Sequence, residues 1–219
     1  MGLDLIDLVY FLVSVAVILS VHEASHALAA YFLGDPTAKL NGRLSLNPVR
    51  HFDVLGFVML IFVHFGWGKP VPVNTGNFKH PMRDSALTAL AGPVSNFVLA
   101  FVLALPLKYM GEFLPVFVAT QLWWIFDLSI IWGIFNMLPI PPLDGGKILG
   151  LIVPRRFERR FMEFQNKGLV YFAAFILLDM FVFWDVIGLF FRPVAGFSLV
   201  RFVVLGAFEF VRSVILFGV

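Results

Sequence analysis

Cysteine is absent from the 219 residues, which excludes disulfides and thiolate metal ligands. Charge is scarce as well. Asp, Glu, Lys and Arg make up 14% of the chain, against about 25% in an average soluble domain. In their place the sequence is 60% hydrophobic with 27 Phe, and its mean hydropathy is +0.91. A soluble protein of this length could not bury that much apolar surface, so the chain reads as an integral membrane protein. The net charge of +2 does not indicate a nucleic-acid partner, because the basic residues collect in a few loops. The first apolar segment is too long for a signal peptide and lacks a basic start, so it is expected to stay in the mature protein.

The expected fold is an all-α polytopic membrane protein of about five to six transmembrane helices, with a re-entrant segment and a small β-hairpin. Leu8 to Leu33 is 26 residues, about 39 Å as helix, enough for a core of about 30 Å. Gly34-Asp35-Pro36 ends it. Asn41-Gly42 within alternating residues 37–46 predicts a hairpin with a type I′ turn. Residues 54–65 are apolar but too short to cross, which fits a segment that turns back. Pro70 and Pro72 make 66–74 an extended edge or loop. Ala86–Leu107, Val116–Leu138, Leu169–Phe191 and Val194–Val219 read as further spans. Arg201, Glu209 and Arg212 leave the last open to lying on the surface instead. The whole chain, 1–219, is expected to be one membrane-embedded domain, with a core over about 8–150 and C-terminal helices over about 168–219.

Loops 34–53 and 67–83 hold three basic residues each and connector 147–167 holds six, together 12 of the 16 Lys and Arg. By the positive-inside rule all three face the cytoplasm. The first two share that face only if the short segment between them turns back.

Against this apolar background, "VHEASHALAA" at 21–30 stands out. His22 and His26 are four apart, on one face of a helix, where both imidazoles reach one metal ion. Glu23 can aim its carboxylate at a water on that metal, the HExxH arrangement of two ligands and a general base. The alternative, two polar side chains satisfied by a neighbouring helix, is disfavoured because idle polar groups inside a bilayer cost energy. A catalytic zinc needs a third protein ligand. His51, Asp53, Asp127 and Asp144 are the candidates. Asp144, in "PPLDGG", returns to the cytoplasmic side under this topology, the face nearer His22 and His26, and is the best of the four. Helix N-capping is its alternative role. Asp127, Asp179 and Asp185 read as interhelical partners or channel-facing groups, His64 as a packing residue, and Arg155–Arg160 as an anchor beside anionic lipid.

"HEASH", "AGPVSN" and "NMLPIPPLDGG", in that order, resemble the site-2 protease family of intramembrane zinc metalloproteases. The likeness runs from Leu8 to about Gly150. "GRLSLNPVRHFDVLG" and "GWGKPVPVN" are similar to the short prokaryotic subgroup without PDZ or CBS domain. Ala-Ser inside HExxH departs from the commoner bulky residue followed by Gly. The resemblance implies zinc held by His22, His26 and Asp144, Glu23 as catalytic base, and Asn96 of a Gly92-x-x-x-Asn96 element near the substrate or the developing oxyanion. An Asn–helix hydrogen bond is the alternative for Asn96. The implied partners are a transmembrane protein substrate and the lipid bilayer, with no nucleic acid and homo-oligomerisation left open. The expected location is the prokaryotic cytoplasmic membrane, with the site towards the cytoplasm. An exposed edge from 37–46 or 70–74 is expected to pair with unwound substrate. The competing functions are a metal-binding membrane transporter and a relative that binds membrane proteins without cutting them.

Overall fold

The computed structural model describes residues 5–63, 66–178 and 199–217, and its regular structure there is entirely helical. Three long helices form the frame: α1 (Leu5–Phe32), α4 (Pro81–Tyr109) and α5 (Val116–Asn136). Between α1 and α4 lie α2 (Thr37–Leu40) and α3 (Val54–Val63). After α5 come α6 (Asp144–Ile148), α7 (Glu158–Asn166), α8 (Gly168–Leu178) and α9 (Leu199–Phe217).

Among the described residues, α1, α4 and α5 are long and apolar enough to cross a membrane, and the chain is an integral membrane protein. The expected span 169–191 begins as α8 and then leaves the described residues, as do Asp179, Asp185 and His64. The segment 194–219 contains α9, whose charged residues set it apart from the three long apolar helices.

Small residues let the frame close. Ala100, Ala104 and Leu107 of α4 pack on Phe126, Ile130 and Ile134 of α5 and Val204 of α9. Without a hydrophobic drive between helices in lipid, this close backbone approach and side-chain hydrogen bonds hold such bundles together. Gln121 near the start of α5 donates to the Tyr10 carbonyl (3.2 Å) and Ser14 Oγ (2.8 Å) near the start of α1. The two helices therefore run parallel. At the opposite end Asp35 accepts from Asn74 N–H and Asn77 Nδ2, both at 2.7 Å. That joins the loop leaving α1 to the loop entering α4, which makes α1 and α4 antiparallel.

The hairpin expected over 37–46 does not form. Asn41 has φ −85°, whereas a type I′ turn needs positive φ at both central residues. Only Gly42 is left-handed, at φ 66°. It closes α2 in a Schellman motif, with Gly42 N–H donating to the Lys39 carbonyl (3.0 Å) and Arg43 N–H to Ala38 (2.9 Å). Gly34, at φ 106°, ends α1 in the same way, with Asp35 N–H donating to Ala30 (2.8 Å). The Asn-Gly signal marks a helix C-terminus here because the four residues before it gain a hydrogen-bonded turn packed under α1.

Residues 66–74 are extended without a strand partner. Pro70 and Pro72 lack N–H groups, Lys69 N–H goes to the His51 carbonyl (2.8 Å), Val71 N–H to Glu23 and Asn74 N–H to Asp35. These three bonds tie the segment to the His51 turn, to α1 and to the loop after it. The Lys69–His51 bond also ties the two sides of α3 together. A Cβ on Gly56 would lie 2.0 Å from the Trp67 carbonyl oxygen, so only glycine lets the returning chain pass that close.

Candidate metal centre

The centre is assembled from α1 and from the turn after α5, beside a flattened face of α4. His22 and His26 project one turn apart from α1, with ring centroids 4.5 Å apart and planes nearly perpendicular. Their Nε2 atoms lie 3.0 Å apart. Asp144 Oδ2 completes a triangle, 3.1 Å from His22 Nε2 and 3.2 Å from His26 Nε2. All three side chains are buried.

Asp144 reaches that position through the irregular stretch after α5. Residues 137–143 fold back over the start of α6, and two glycines make room. A Cβ on Gly145 would lie 2.3 Å from the carbonyl oxygens of Met137 and Leu138. One on Gly146 would lie 2.6 Å from Pro141 N. Asp144 is the first residue of α6, after Leu143 at the N-cap, and the partners of its carboxylate are His22 and His26.

The donor set fits zinc. Zinc bonds of about 2.0–2.1 Å at tetrahedral angles separate donors by roughly 3.3 Å, close to the observed 3.0–3.2 Å. Asp144 Oδ2 is buried against the two Nε2 atoms alone, and with both imidazoles carrying their protons on Nδ1 its lone pair would call for a cation. Two neutral imidazoles and a carboxylate are also the ligand classes of a catalytic zinc, leaving a coordination position open.

Helix α4 supplies the back wall. His26 Nδ1 lies 2.7 Å from the Thr88 carbonyl, and His22 Nδ1 lies 3.1 Å from Asn96 Nδ2. Gly92 stands midway, one turn from each. A Cβ there would come within 2.5 Å of the His26 ring and 2.6 Å of His22 Cε1. Asn96 thus sits against the His22 imidazole and is fully buried. On the far side, Glu23 Oε2 accepts from Val71 N–H at 3.1 Å. Arg43 is buried, donates to the Lys69 carbonyl and exerts an electrostatic pull on Glu23.

The other sequence candidates lie elsewhere. His51 is buried, with Nε2 2.7 Å from the Ser45 carbonyl. Asp53 caps α3 by accepting from Gly56 N–H (2.8 Å). Asp127 pairs with Arg212 of α9 at 2.9 Å, which makes it an interhelical partner. Three participants escaped sequence reading: the Thr88 carbonyl, the Val71 amide and Arg43. Backbone groups carry no residue signature, and Arg43 reads as one more basic loop residue.

Comparison with known proteins finds one family and several relatives. The model of "Peptidase family M50" matches residues 108–180. YwhC of Bacillus subtilis, provisionally named a zinc metalloprotease, is 37% identical over 188 residues, covering 81% of this chain and 85% of its own. Rip2 of Mycobacterium tuberculosis, provisionally named likewise, is 29% identical over 76% of this chain and 66% of its own. MJ0611 of Methanocaldococcus jannaschii carries the same provisional name and is 34% identical over 44% of this chain and 49% of its own. No solved structure matches.

Proposed function

Because the chain belongs to peptidase family M50, the site-2 protease family of zinc metalloproteases, we propose that it hydrolyses a peptide bond in or near the transmembrane segment of a membrane-protein substrate. The observation that carries this reading is the convergence of His22, His26 and Asp144, donors from distant parts of the chain, at 3.0–3.2 Å from one another beside Glu23. His22, His26 and Asp144 hold the zinc.

Zinc bound there supplies Lewis acidity, which acidifies a water towards a pKa of about 7 and polarises a scissile carbonyl. Glu23 takes the proton of the attacking water and delivers it to the amide nitrogen as the carbon–nitrogen bond breaks. The Val71 N–H holds the Glu23 carboxylate in place until then. Buried positions of α1 and α4 back the reacting groups. A helical substrate hides its carbonyls and must unwind to reach Glu23.

The basic loops meet at the end of the bundle where α1 finishes and α4 begins, which supports a site towards the cytoplasm of a prokaryotic cell membrane. His22 is ten residues, about 15 Å, from the end of α1. The stretch 54–65 acts as a re-entrant segment, as the bond between Lys69 and His51 favours. The three donors gather at one point, whereas a transport path would string them along the bundle.

Purified protein in detergent, given a labelled transmembrane model substrate, tests the reading. Glu23→Gln should retain one zinc per chain and lose cleavage by at least 10²-fold. Cleavage at the wild-type rate by that variant would remove Glu23 from the mechanism.

A further inference from the structure

The distal nitrogens of the two ligand rings both face α4, and the two contacts differ in kind. An imidazole that ligates through Nε2 carries its proton on Nδ1 and donates it. The Thr88 carbonyl is an acceptor 2.7 Å from His26 Nδ1, so His26 is satisfied. At His22 the group 3.1 Å away is the Asn96 amide nitrogen, which itself only donates. Two donors would then face each other. On the other side of the same amide, Asn96 Oδ1 is buried without a partner.

One rotation answers both problems. A half-turn of the amide exchanges oxygen and nitrogen at nearly unchanged shape. It sets Oδ1 against His22 Nδ1 and removes the orphaned acceptor. Resting on the zinc-centre reading above, we propose that Asn96 Oδ1 accepts the His22 Nδ1–H and so fixes the tautomer and ring orientation in which Nε2 binds zinc.

The helix register supports this. Thr88, Gly92 and Asn96 lie one turn apart on α4, and His26 and His22 lie one turn apart on the antiparallel α1. Thr88 faces His26, Asn96 faces His22, and Gly92 leaves the gap into which both rings fit. Asn96 has no exposed surface and stands behind His22, where a substrate carbonyl does not reach. It is a positioning residue, and the Gly-x-x-x-Asn spacing is a consequence of holding two histidines four residues apart.

The oxyanion role requires the amide donor, and the positioning role requires the acceptor. Asn96→Asp keeps the acceptor and discards the donor, while Asn96→Leu discards both. Zinc affinity of purified protein, by chelator competition, should fall 10–100-fold in Asn96→Leu and stay within about threefold of wild type in Asn96→Asp, which should still cleave. Wild-type affinity in Asn96→Leu, or loss of cleavage with zinc retained in Asn96→Asp, would overturn the proposal. Nitrogen-15 NMR of zinc-loaded wild type with labelled histidine checks it without any variant. His22 Nδ1 should be protonated, and an unprotonated Nδ1 overturns the proposal. Failure of the wild type itself to take up zinc would overturn both this proposal and the zinc-centre reading, whereas zinc binding indifferent to Asn96 would leave that reading standing.

Discussion

Gly92 shows how one missing side chain can decide a metal centre. The space a Cβ would need there is already filled by the rings of His22 and His26, at 2.5–2.6 Å. Imidazoles anchored through Thr88 and Asn96 cannot swing aside without losing those contacts. Gly92→Ala should therefore lower zinc affinity at least 10-fold and abolish most cleavage, read by metal analysis alongside a proteolysis assay. Asp144→Asn acts on the proposed third donor directly, replacing a carboxylate with a neutral amide. It should cost more zinc affinity than Gly92→Ala, and full zinc occupancy in that variant would point to a different third ligand. The meeting of His22 and His26 was legible from spacing alone, because a helix has only one way to present positions four apart. The Thr88 carbonyl was not, since every residue has one.

At the scale of elements, local signals were legible where the chain has no alternative and misleading where tertiary packing chooses between two turns. Gly34-Asp35-Pro36 ended α1 as expected. Asn41-Gly42 became a helix cap, because α2 packs under α1 with Ala38 fully buried. Asp35 ties these loops together, accepting from Thr37 N–H (3.1 Å) and Oγ1 (2.5 Å), Asn74 N–H and Asn77 Nδ2. Burial pushes its carboxyl up, but these donors hold it below its ordinary value. A lowered pKa stabilises the fold above the unfolded value of about 3.9 and loses that stabilisation as pH falls through the lower folded value. The melting temperature of wild type should exceed that of Asp35→Asn at neutral pH, and the gap should close below about pH 4. A gap independent of pH would mean that the carboxylate charge does not matter. The Asp127–Arg212 pair docks α9 on α5, and Trp123 lies under the guanidinium at 5.4 Å. Asp127→Ala leaves a cation against apolar surface. It should destabilise by on the order of 1–3 kcal/mol, less than a fully buried broken pair, because both partners are about a third exposed. Removing both charges should cost less than removing Asp127 alone, which a double-mutant cycle of thermal melts will read.

For the whole molecule, hydrogen bonds between helices and the distribution of charge describe the same two ends. Gln121 with Ser14 marks one end, and Asp35 with Asn74 and Asn77 marks the other. The second end carries the loops holding most of the Lys and Arg. That agreement is what the proposed topology rests on: each long apolar helix would reverse the side and α3 would not. If α3 crossed fully, α4 would start at the opposite face, and neither the Asp35 bonds nor the convergence of Asp144 with His22 and His26 could form. The lack of native cysteine gives a clean test by single-cysteine labelling in intact cells. Val49, Lys79, Glu112 and Arg156 are all exposed, so a thiol at each is open to reagent without disturbing the core. An impermeant maleimide added outside should label Glu112→Cys, in the loop between α4 and α5, and spare the other three until the membrane is opened. Labelling of Lys79→Cys from outside with Val49→Cys protected would put α3 across the bilayer, and the carboxylate of Asp144 would then emerge on the wrong side to meet its histidines.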